Sequence, residues 1–251
     1  MIKIHFEFDN TKKSQSIKKS MLKKYTNCPV KKSNVIVVAG GDGYMLQILK
    51  KYSMLKIPFY GINCGTFGFL MNKYTNKNLE KKIKKSKKIV INPLEIIFLS
   101  KNKKKIIAIN EISLFRQSKQ TASIKIELKK KTVIKKLTGD GVLISTPAGS
   151  TAYNSSVYGP ILSLNSGKLA ITPISPFRPR KWKGKVVSNN STIKITNLDP
   201  KKRPIAAVAD NIETRNIKSL SVKVNKKIKL TLLYDSKHSL EKRINLERTK
   251  Y

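Results

Sequence analysis

An acidic residue lies within a cluster of glycines at Gly40-Gly41-Asp42-Gly43, directly after Asn34–Ala39. That β-branched run is typical of a buried parallel strand. Glycines after such a strand let the backbone approach a ligand and adopt a positive φ, and a helix beginning at Tyr44 would direct its N-terminal amides at a phosphate. Because a carboxylate repels phosphate, Asp42 is better explained by chemistry, either holding a cation or accepting a hydroxyl proton. An Asp at a turn or N-cap position is the alternative.

A polar pair, Asn110 and Glu111, stands between two segments predicted to be strands, Lys105–Ile109 and Ile112–Phe115. An amide and a carboxylate at a strand end together bind nucleoside hydroxyls and a base edge. Asn and Glu are also common turn residues at strand ends, so both interpretations of this pair stay open.

The segment Gly139–Ser156 runs from a predicted strand into a loop rich in small and hydroxyl side chains, with a helix expected near Thr151–Val157. Ser150 or Thr151 can cap that helix. Small side chains leave room for a flat ring, and Tyr153 offers a stacking face. A Gly/Ser linker is the alternative, but linkers lack such apolar flanking strands. The segment is therefore predicted to be a binding loop.

The order and spacing of several blocks resemble the NAD kinase family. These blocks are GGDG, GINCGTFGFLMN, NEISLFR, TGDGVLISTPAGSTAYNSS, YGPIL and ITPISPFRPRKW, and the similarity spans roughly Val35–Trp182. The TPAGSTAYNSS and TPISPFRPR blocks are most similar to the alphaproteobacterial branch. GGDG alone is shared with diacylglycerol and sphingosine kinases. P-loop and Rossmann motifs do not follow any predicted strand.

The resemblance implies an ATP-dependent enzyme that phosphorylates the 2′-hydroxyl of the adenosine ribose of NAD. It implies that Asp42 is the general base and that Gly40, Gly41 and Gly43 shape the phosphate turn. Asp140 is expected on the nicotinamide side, and Asp210 and Asn211 stand where the family often has another polar contact. The NAD-binding positions that the resemblance implies are Asp42, Gly43, Asn110, Glu111, Asp140, Ala148, Thr151, Ala152, Tyr153, Asn154, Ser155 and Ser156.

The substrates implied are NAD and ATP. A divalent cation, Mg²⁺, would be held mainly by the ATP phosphates, so no protein side chain is nominated as a metal ligand. A homo-oligomer, either a dimer or a tetramer, is expected. Arg178 and Arg180 reach either a phosphate or a neighbouring subunit, and the sequence does not choose between them.

The elements that must position these residues change character near Ile91–Pro93. Before that point strands and helices alternate, which predicts an α/β domain over residues 1–92 that carries the GGDG turn. After it, eleven short strands, the last being Lys229–Tyr234, predict a β-rich, sandwich-like domain over residues 93–234. Residues 235–251 form a charged tail. The active site is expected in the cleft between the two domains.

Basic residues outnumber acidic ones by 53 to 14, which gives a net charge of +39. Only seven of the basic residues are Arg, the better reader of phosphates and bases, and the excess of Lys accompanies Ile and Asn as in AT-rich codon usage. We therefore expect no specific nucleic-acid partner. Two cysteines cannot form a disulfide framework, and no apolar run is long enough for a membrane span. These features predict a cytoplasmic protein. A GGDG-type lipid kinase and a non-catalytic basic nucleic-acid binder are the alternatives.

Overall fold

The computed structural model describes residues 2–66, 68–75, 78–98 and 105–235. The chain divides into two compact units, with boundaries between Ile91 and Asn92 and between Lys227 and Ile228. Unit 1 contains the described residues up to 91 and those from 228 onward, and unit 2 is Asn92–Lys227. The expected charged tail lies outside the described residues, apart from Asp235.

The strands and helices are numbered along the chain. The strands are β1 (Ile4–Phe8), β2 (Val35–Gly40), β3 (Phe59–Asn63), β4 (Asn72–Lys73), β5 (Lys87–Ile91), β6 (Leu94–Phe98), β7 (Ile106–Ala108), β8 (Glu111–Arg116), β9 (Ala122–Leu128), β10 (Lys131–Gly139), β11 (Gly141–Ser145), β12 (Lys168–Ile174), β13 (Lys185–Ser188), β14 (Ile193–Asn197), β15 (Ile205–Ala209), β16 (Ile212–Thr214), β17 (Ser219–Val224) and β18 (Leu230–Tyr234). The α-helices are α1 (Lys12–Leu22), α2 (Asp42–Lys51), α3 (Leu79–Lys85) and α4 (Tyr153–Ser156).

Unit 1 is the predicted α/β unit. Its sheet has the strand order β1-β2-β3-β18-β5, with β4 beside β3. Strands β1, β2 and β3 are parallel, and every residue of β2 is buried, as its apolar sequence predicts. Because carboxyl ends of parallel strands meet at one edge, Asp9, Gly41 and Cys64, which follow β1, β2 and β3, share that edge. This edge is where open α/β sheets bind ligands.

The last strand lies in unit 1, so the prediction that placed Lys229–Tyr234 in the second domain was wrong. Strand β18 pairs antiparallel with β5 along its whole length and parallel with β3, where Leu232 is opposite Phe59. Leu230 and Leu232 are fully buried there. The apolar pattern of this segment specifies a strand and its buried face, but it carries no information about which sheet the strand joins.

Unit 2 is the predicted β-rich unit. It contains two six-stranded sheets, with the orders β10-β9-β14-β17-β6-β7 and β13-β12-β11-β8-β15-β16. Alternate apolar side chains from both sheets form one core, including Ile112 and Leu114 of β8 and Val142 and Ile144 of β11, which makes the unit a sandwich. Strand β12 is not among the predicted strands, and it contains Pro173, a residue that is uncommon within sheets. In the structure Pro173 lies beyond the residues that pair with β13.

The outward face of the second of these sheets carries the predicted binding residues. Because side chains alternate along a strand, Glu111 and Phe115 of β8 lie on the opposite face from the core residues Ile112 and Leu114. Glu111 is opposite Ser145 at the end of β11, and Ala209 at the end of β15 is opposite Ile112. The loops after β11 and β15 therefore meet the start of β8.

Candidate active site

Asp42 is the first residue of α2, two residues earlier than the predicted start of this helix at Tyr44. Its Oδ2 accepts a hydrogen bond from the Phe69 amide at 2.7 Å, and its Oδ1 accepts one from the Leu70 amide at 3.1 Å. The N-cap is Gly41, which makes no side-chain cap, so the interpretation of Asp42 as an N-cap is wrong. The half-buried carboxylate is instead held by a segment that follows β3.

The three glycines of the turn have different roles. A Cβ on Gly40 would lie 2.8 Å from the Tyr44 ring, whereas a Cβ on Gly41 or Gly43 would meet no described atom within 4 Å. The φ angle of Gly41 is −97°, and the described glycines with positive φ are Gly167 and Gly184, so the positive φ expected here was wrong. The space beside Gly41 and Gly43 lies at the helix N-terminus, where first-turn amides lack intrahelical acceptors and favour an anion.

Backbone contacts fix the turn at the edge of the sheet. The Cys64 amide donates to the Gly40 carbonyl at 2.8 Å and the Asp9 amide to the Ala39 carbonyl at 3.0 Å. The buried Ser14 hydroxyl also donates to the Ala39 carbonyl, at 2.8 Å. Burial raises the pKa of the Cys64 thiol, which keeps that side chain neutral beside the turn. The GGDG turn is thus held by hydrogen bonds at the edge of the unit 1 sheet.

In unit 2, the backbone at Asn110 and Glu111 is held by Asp210. The Asp210 carboxylate accepts hydrogen bonds from the amides of Ile109 at 2.8 Å, Asn110 at 2.9 Å and Glu111 at 3.3 Å. The Asp210 amide donates to the Glu111 carbonyl at 3.1 Å, and its φ is +52°, a conformation that Asp tolerates better than most residues. The carboxylate expected to contact NAD therefore binds protein backbone.

The loop after β11 holds the same turn from its other side. The Thr146 amide donates to the Asn110 carbonyl at 2.9 Å, and the Thr146 hydroxyl donates to the Ile109 carbonyl at 2.7 Å. A Cβ on Gly149 would lie 2.2 Å from the Asn110 carbonyl oxygen, so only glycine fits there. The side-chain Oδ1 of Asn110 is buried and has no hydrogen-bond partner among the described residues. Such an acceptor is suited to a donor on a ligand.

Tyr153 lies over Phe115, with ring centroids 5.8 Å apart and planes at 28°. Burial raises the pKa of Tyr153, and the nearby charges of Asp140 and Glu111 raise it further. The phenol therefore stays protonated beside two carboxylates. Tyr153 therefore lies close enough to Asp140 and Glu111, two other predicted binding residues, to be affected by their charges. Phe115 was not predicted, although its outward position on β8 was a usable signal.

Asp140 has a cationic partner that the sequence did not indicate. Its Oδ1 accepts a hydrogen bond from Arg116 Nε at 2.5 Å, and Arg116 Nη1 also donates to the Ser118 carbonyl at 2.9 Å. Both side chains of the ion pair are more than one-third exposed, so solvent weakens the interaction. The pair orients Asp140 and leaves its carboxylate accessible.

Asn154, which is predicted to line the NAD pocket, makes its hydrogen bonds within the protein. Its side chain is fully buried. Its Nδ2 donates to the carbonyls of Ser150 at 3.2 Å and Pro160 at 3.0 Å, and its Oδ1 accepts from the Thr172 hydroxyl at 2.7 Å. Asn154 therefore holds the loop onto β12, and a ligand would need to displace these bonds to reach it.

The rest of the loop is partly open. The predicted capping by Ser150 or Thr151 was wrong, because the N-cap of α4 is Ala152 without a side-chain bond. The Ser150 hydroxyl donates instead to the Pro147 carbonyl at 2.8 Å. Ala148 is nearly buried, Thr151 and Ala152 are half-buried, and Ser155 and Ser156 are exposed.

The remaining candidates lie at the surface. The guanidinium groups of Arg178 and Arg180 lie 5.5 Å and 5.3 Å from the centre of the Phe177 ring, and all three side chains are exposed. Asn211 is exposed beside Asp210.

Within the described residues, no three His, Cys, Asp or Glu side chains are grouped closely enough to hold a metal ion. No helix in this part of the chain is long and apolar enough to cross a membrane.

Comparisons with known proteins agree with this arrangement. Residues 2–88 match the ATP-NAD kinase N-terminal domain and residues 109–227 match the ATP-NAD kinase C-terminal domain. A Brucella suis protein named NAD kinase is 40% identical over 250 residues, covering 99% of this chain and 97% of the relative.

Two solved structures have a similar fold. An Archaeoglobus fulgidus NAD kinase in complex with ATP has a TM-score of 0.72 at 23% identity, covering 93% of each chain. A yeast NADH kinase complexed with NADH has a TM-score of 0.75 at 24% identity, covering 87% of this chain and 67% of that one.

Two glycine substitutions test the packing of the site. Gly149→Ala places a methyl group against backbone atoms of Asn110, 2.2 Å from the nearest, and we expect a loss of roughly 1–3 kcal/mol in unfolding free energy. Gly43→Ala places it in open space within α2, so stability should stay equal or rise by up to about 1 kcal/mol. Denaturant titration of both variants measures the difference. Equal losses in both would show that the space beside Gly43 is not open.

Proposed function

The chain belongs to the NAD kinase family and converts NAD to NADP with ATP, and we propose that the Asp42 carboxylate takes the proton from the ribose 2′-hydroxyl during the transfer. The observation that carries this proposal is the position of Asp42 on the first turn of α2, with two backbone amides bonded to its oxygens. Family membership selects this activity over the alternative of a lipid kinase and over that of a nucleic-acid binder.

The proposed reaction is a direct in-line transfer. The ribose O2′ forms a bond to the γ-phosphorus of ATP, the bond from that phosphorus to the β–γ bridging oxygen breaks, and ADP leaves. The 2′-hydroxyl proton passes to Asp42 as the new bond forms. The first-turn amides of α2 and the space beside Gly41 and Gly43 support a phosphate at this point. There the positive end of the helix stabilises negative charge.

We propose that the Asn110 turn and the loop after β11 bind NAD. The Asn110 Oδ1, which has no hydrogen-bond partner within the described part of the chain, accepts a hydrogen bond from a ribose hydroxyl or a base amino group, and the neighbouring Glu111 carboxylate binds a second hydroxyl. Tyr153 supplies a ring beside them, and Asp140, oriented by Arg116, is assigned to the nicotinamide side. Ala148, Thr151, Ala152, Ser155 and Ser156 are assigned to the lining of this pocket.

Mg²⁺ is proposed to arrive with ATP. The phosphate oxygens of ATP, rather than protein side chains, are proposed to hold the cation, since Mg²⁺ is usually bound through substrate phosphates. When bound, Mg²⁺ offsets the negative charge of the phosphates. We also propose that the enzyme forms a cytoplasmic homo-oligomer, and sedimentation analysis of the purified chain would measure its assembly.

Asp42→Asn tests the proposed base. An amide cannot accept the hydroxyl proton, and loss of general base catalysis lowers kcat by about 10²–10⁴-fold. The Asn NH₂ group also opposes one of the two amides that hold Asp42, but NAD binding should persist within a few-fold because the proposed NAD-binding residues of unit 2 are unchanged. The measurement is NADP formation from NAD and ATP, together with NAD binding by calorimetry and a thermal unfolding curve. A variant that is folded, binds NAD and keeps near-normal kcat would remove Asp42 from the role of base.

Asp210→Asn tests whether the backbone at Asn110 controls NAD recognition. An Asn side chain can accept from only some of the three amides, because its NH₂ group opposes the remainder. We expect the KM for NAD to rise by about 10-fold, equivalent to about 1.4 kcal/mol, with the KM for ATP within twofold. The matched control is Asp199→Asn, because Asp199 accepts one turn amide, that of Lys202, at 3.2 Å. Equal KM values for NAD in both variants would contradict the role of Asp210.

A further inference from the structure

We propose that Tyr234, the last residue of β18, is a positioning residue that acts on Asp42 through the main chain of Phe69 and Leu70. The inference rests on the proposed role of Asp42. Tyr234 follows the whole of unit 2 in the sequence, and none of the sequence blocks that indicate the family contains it. Its connection to Asp42 is visible only in the folded sheet of unit 1.

The link runs through a single peptide group. The Tyr234 hydroxyl donates to the Phe69 carbonyl at 3.2 Å. That carbonyl belongs to the same planar peptide unit as the Leu70 amide, and the Leu70 amide donates to Asp42 Oδ1 at 3.1 Å. The peptide is therefore bound at both ends, by a phenol on one side and by the carboxylate on the other. A bond to the carbonyl also polarises the group and strengthens its N–H as a donor.

The segment that carries this peptide needs such support. Residues 68–71 have no helical or strand structure, so no ladder of backbone hydrogen bonds fixes the two amides that reach Asp42. A Cβ on Gly68 would lie 3.1 Å from Asp42 Oδ1, which shows how closely the segment passes the carboxylate. A small displacement of this backbone would therefore move the carboxylate with it.

Strand β18 is a rigid base for the contact. Tyr234 is 4% exposed, and its strand is paired on both sides, with β5 and with β3. A second link joins β18 to the same segment, because the buried Asn72 donates from Nδ2 to the Leu233 carbonyl at 2.9 Å and accepts the Asp235 amide at Oδ1, also at 2.9 Å. The strand thus fixes both ends of the segment that holds Asp42.

Tyr60 provides a matched control. It is buried, at 1% exposure, and its hydroxyl donates to Asp235 Oδ1 at 2.7 Å, where Lys82 Nζ also binds Oδ2 at 2.7 Å. Its hydroxyl bond thus ends at the carboxyl end of β18 and not at the Phe69–Leu70 peptide. Tyr60→Phe and Tyr234→Phe each remove one buried hydroxyl from the same sheet. Both variants therefore include the loss of stability that this removal causes, and a difference between them reports the specific contact with the Phe69–Leu70 peptide.

The test compares Tyr234→Phe with Tyr60→Phe in steady-state kinetics with NAD and ATP. Misplacement of a catalytic group by about 1 Å costs up to about 10²-fold in rate. We therefore expect kcat of Tyr234→Phe to fall by about 10-fold, with both KM values within twofold. Tyr60→Phe should keep kcat within twofold. Hydrogen–deuterium exchange of a peptide spanning residues 68–72 should be faster in Tyr234→Phe than in the wild type and in Tyr60→Phe.

Unaltered kcat in Tyr234→Phe, or equal losses of kcat in the two variants, would overturn the proposal. If Tyr234→Phe is less stable than Tyr60→Phe, the exchange data decide, because loosening spread over the whole sheet rather than centred on residues 68–72 contradicts a specific role. Failure of the proposed role of Asp42 gives a different result from failure of the Tyr234 proposal. If Asp42 is not the base, Asp42→Asn retains its turnover, and this outcome does not depend on the result for Tyr234→Phe.

Discussion

Two hydrogen bonds from the amides of Phe69 and Leu70 hold the Asp42 carboxylate, and the candidate active site of unit 1 depends on this contact. A carboxylate at a helix N-terminus competes with phosphate for the same positive potential. When backbone amides from another segment satisfy its oxygens, the carboxylate is fixed on one side of the turn. The helix amides beside Gly41 and Gly43 are then left for an anion. Base and phosphate site can therefore coexist within four residues.

Unit 2 also contains a carboxylate that accepts hydrogen bonds from backbone amides, but its role there is different. Asp210 also accepts backbone amides, three of them, but there the acid fixes the backbone and another side chain, Asn110, presents the open acceptor. A carboxylate bonded to two or three amides is a strong, short-range anchor because charge-assisted hydrogen bonds exceed neutral ones in strength. In this chain one such anchor holds a proposed catalytic group and the other holds a proposed binding group.

Much of the candidate site could be predicted from the sequence because its residues lie in short contiguous blocks. Gly40–Gly43, Asn110-Glu111 and the loop containing Tyr153 each combine an unusual local composition with a preceding apolar strand, and that combination is visible without a fold. The residues that hold these blocks could not be predicted in the same way. Asp210 and Ile109 are hydrogen-bonded although they are 101 residues apart in the sequence, and Tyr234 and Phe69 are 165 residues apart. Neither contact produces a periodic pattern in the sequence.

One prediction was wrong and another is left without support, for related reasons. The apolar alternation of β18 identified a strand but not its sheet, since period-2 patterns specify faces and not partners. Asn154 lies within a hydroxyl-rich loop that resembles a binding loop, yet its amide bonds to Ser150, Pro160 and Thr172. The same type of polar residue can hold a loop in place or bind a ligand. The sequence does not distinguish these two roles, whereas the burial of the side chain in the structure does.

The most direct test of this account is the single-turnover rate of phosphoryl transfer in Asp42→Glu, because Glu keeps the carboxylate and displaces it by one methylene from the position that the Phe69 and Leu70 amides bind. If the anchored position of the base matters, the rate should fall by about 10²-fold, the scale of a 1 Å misplacement, while equilibrium NAD binding stays within a few-fold. A rate within twofold of the wild type would show that the position set by the Phe69 and Leu70 amides is not required, which would contradict the account.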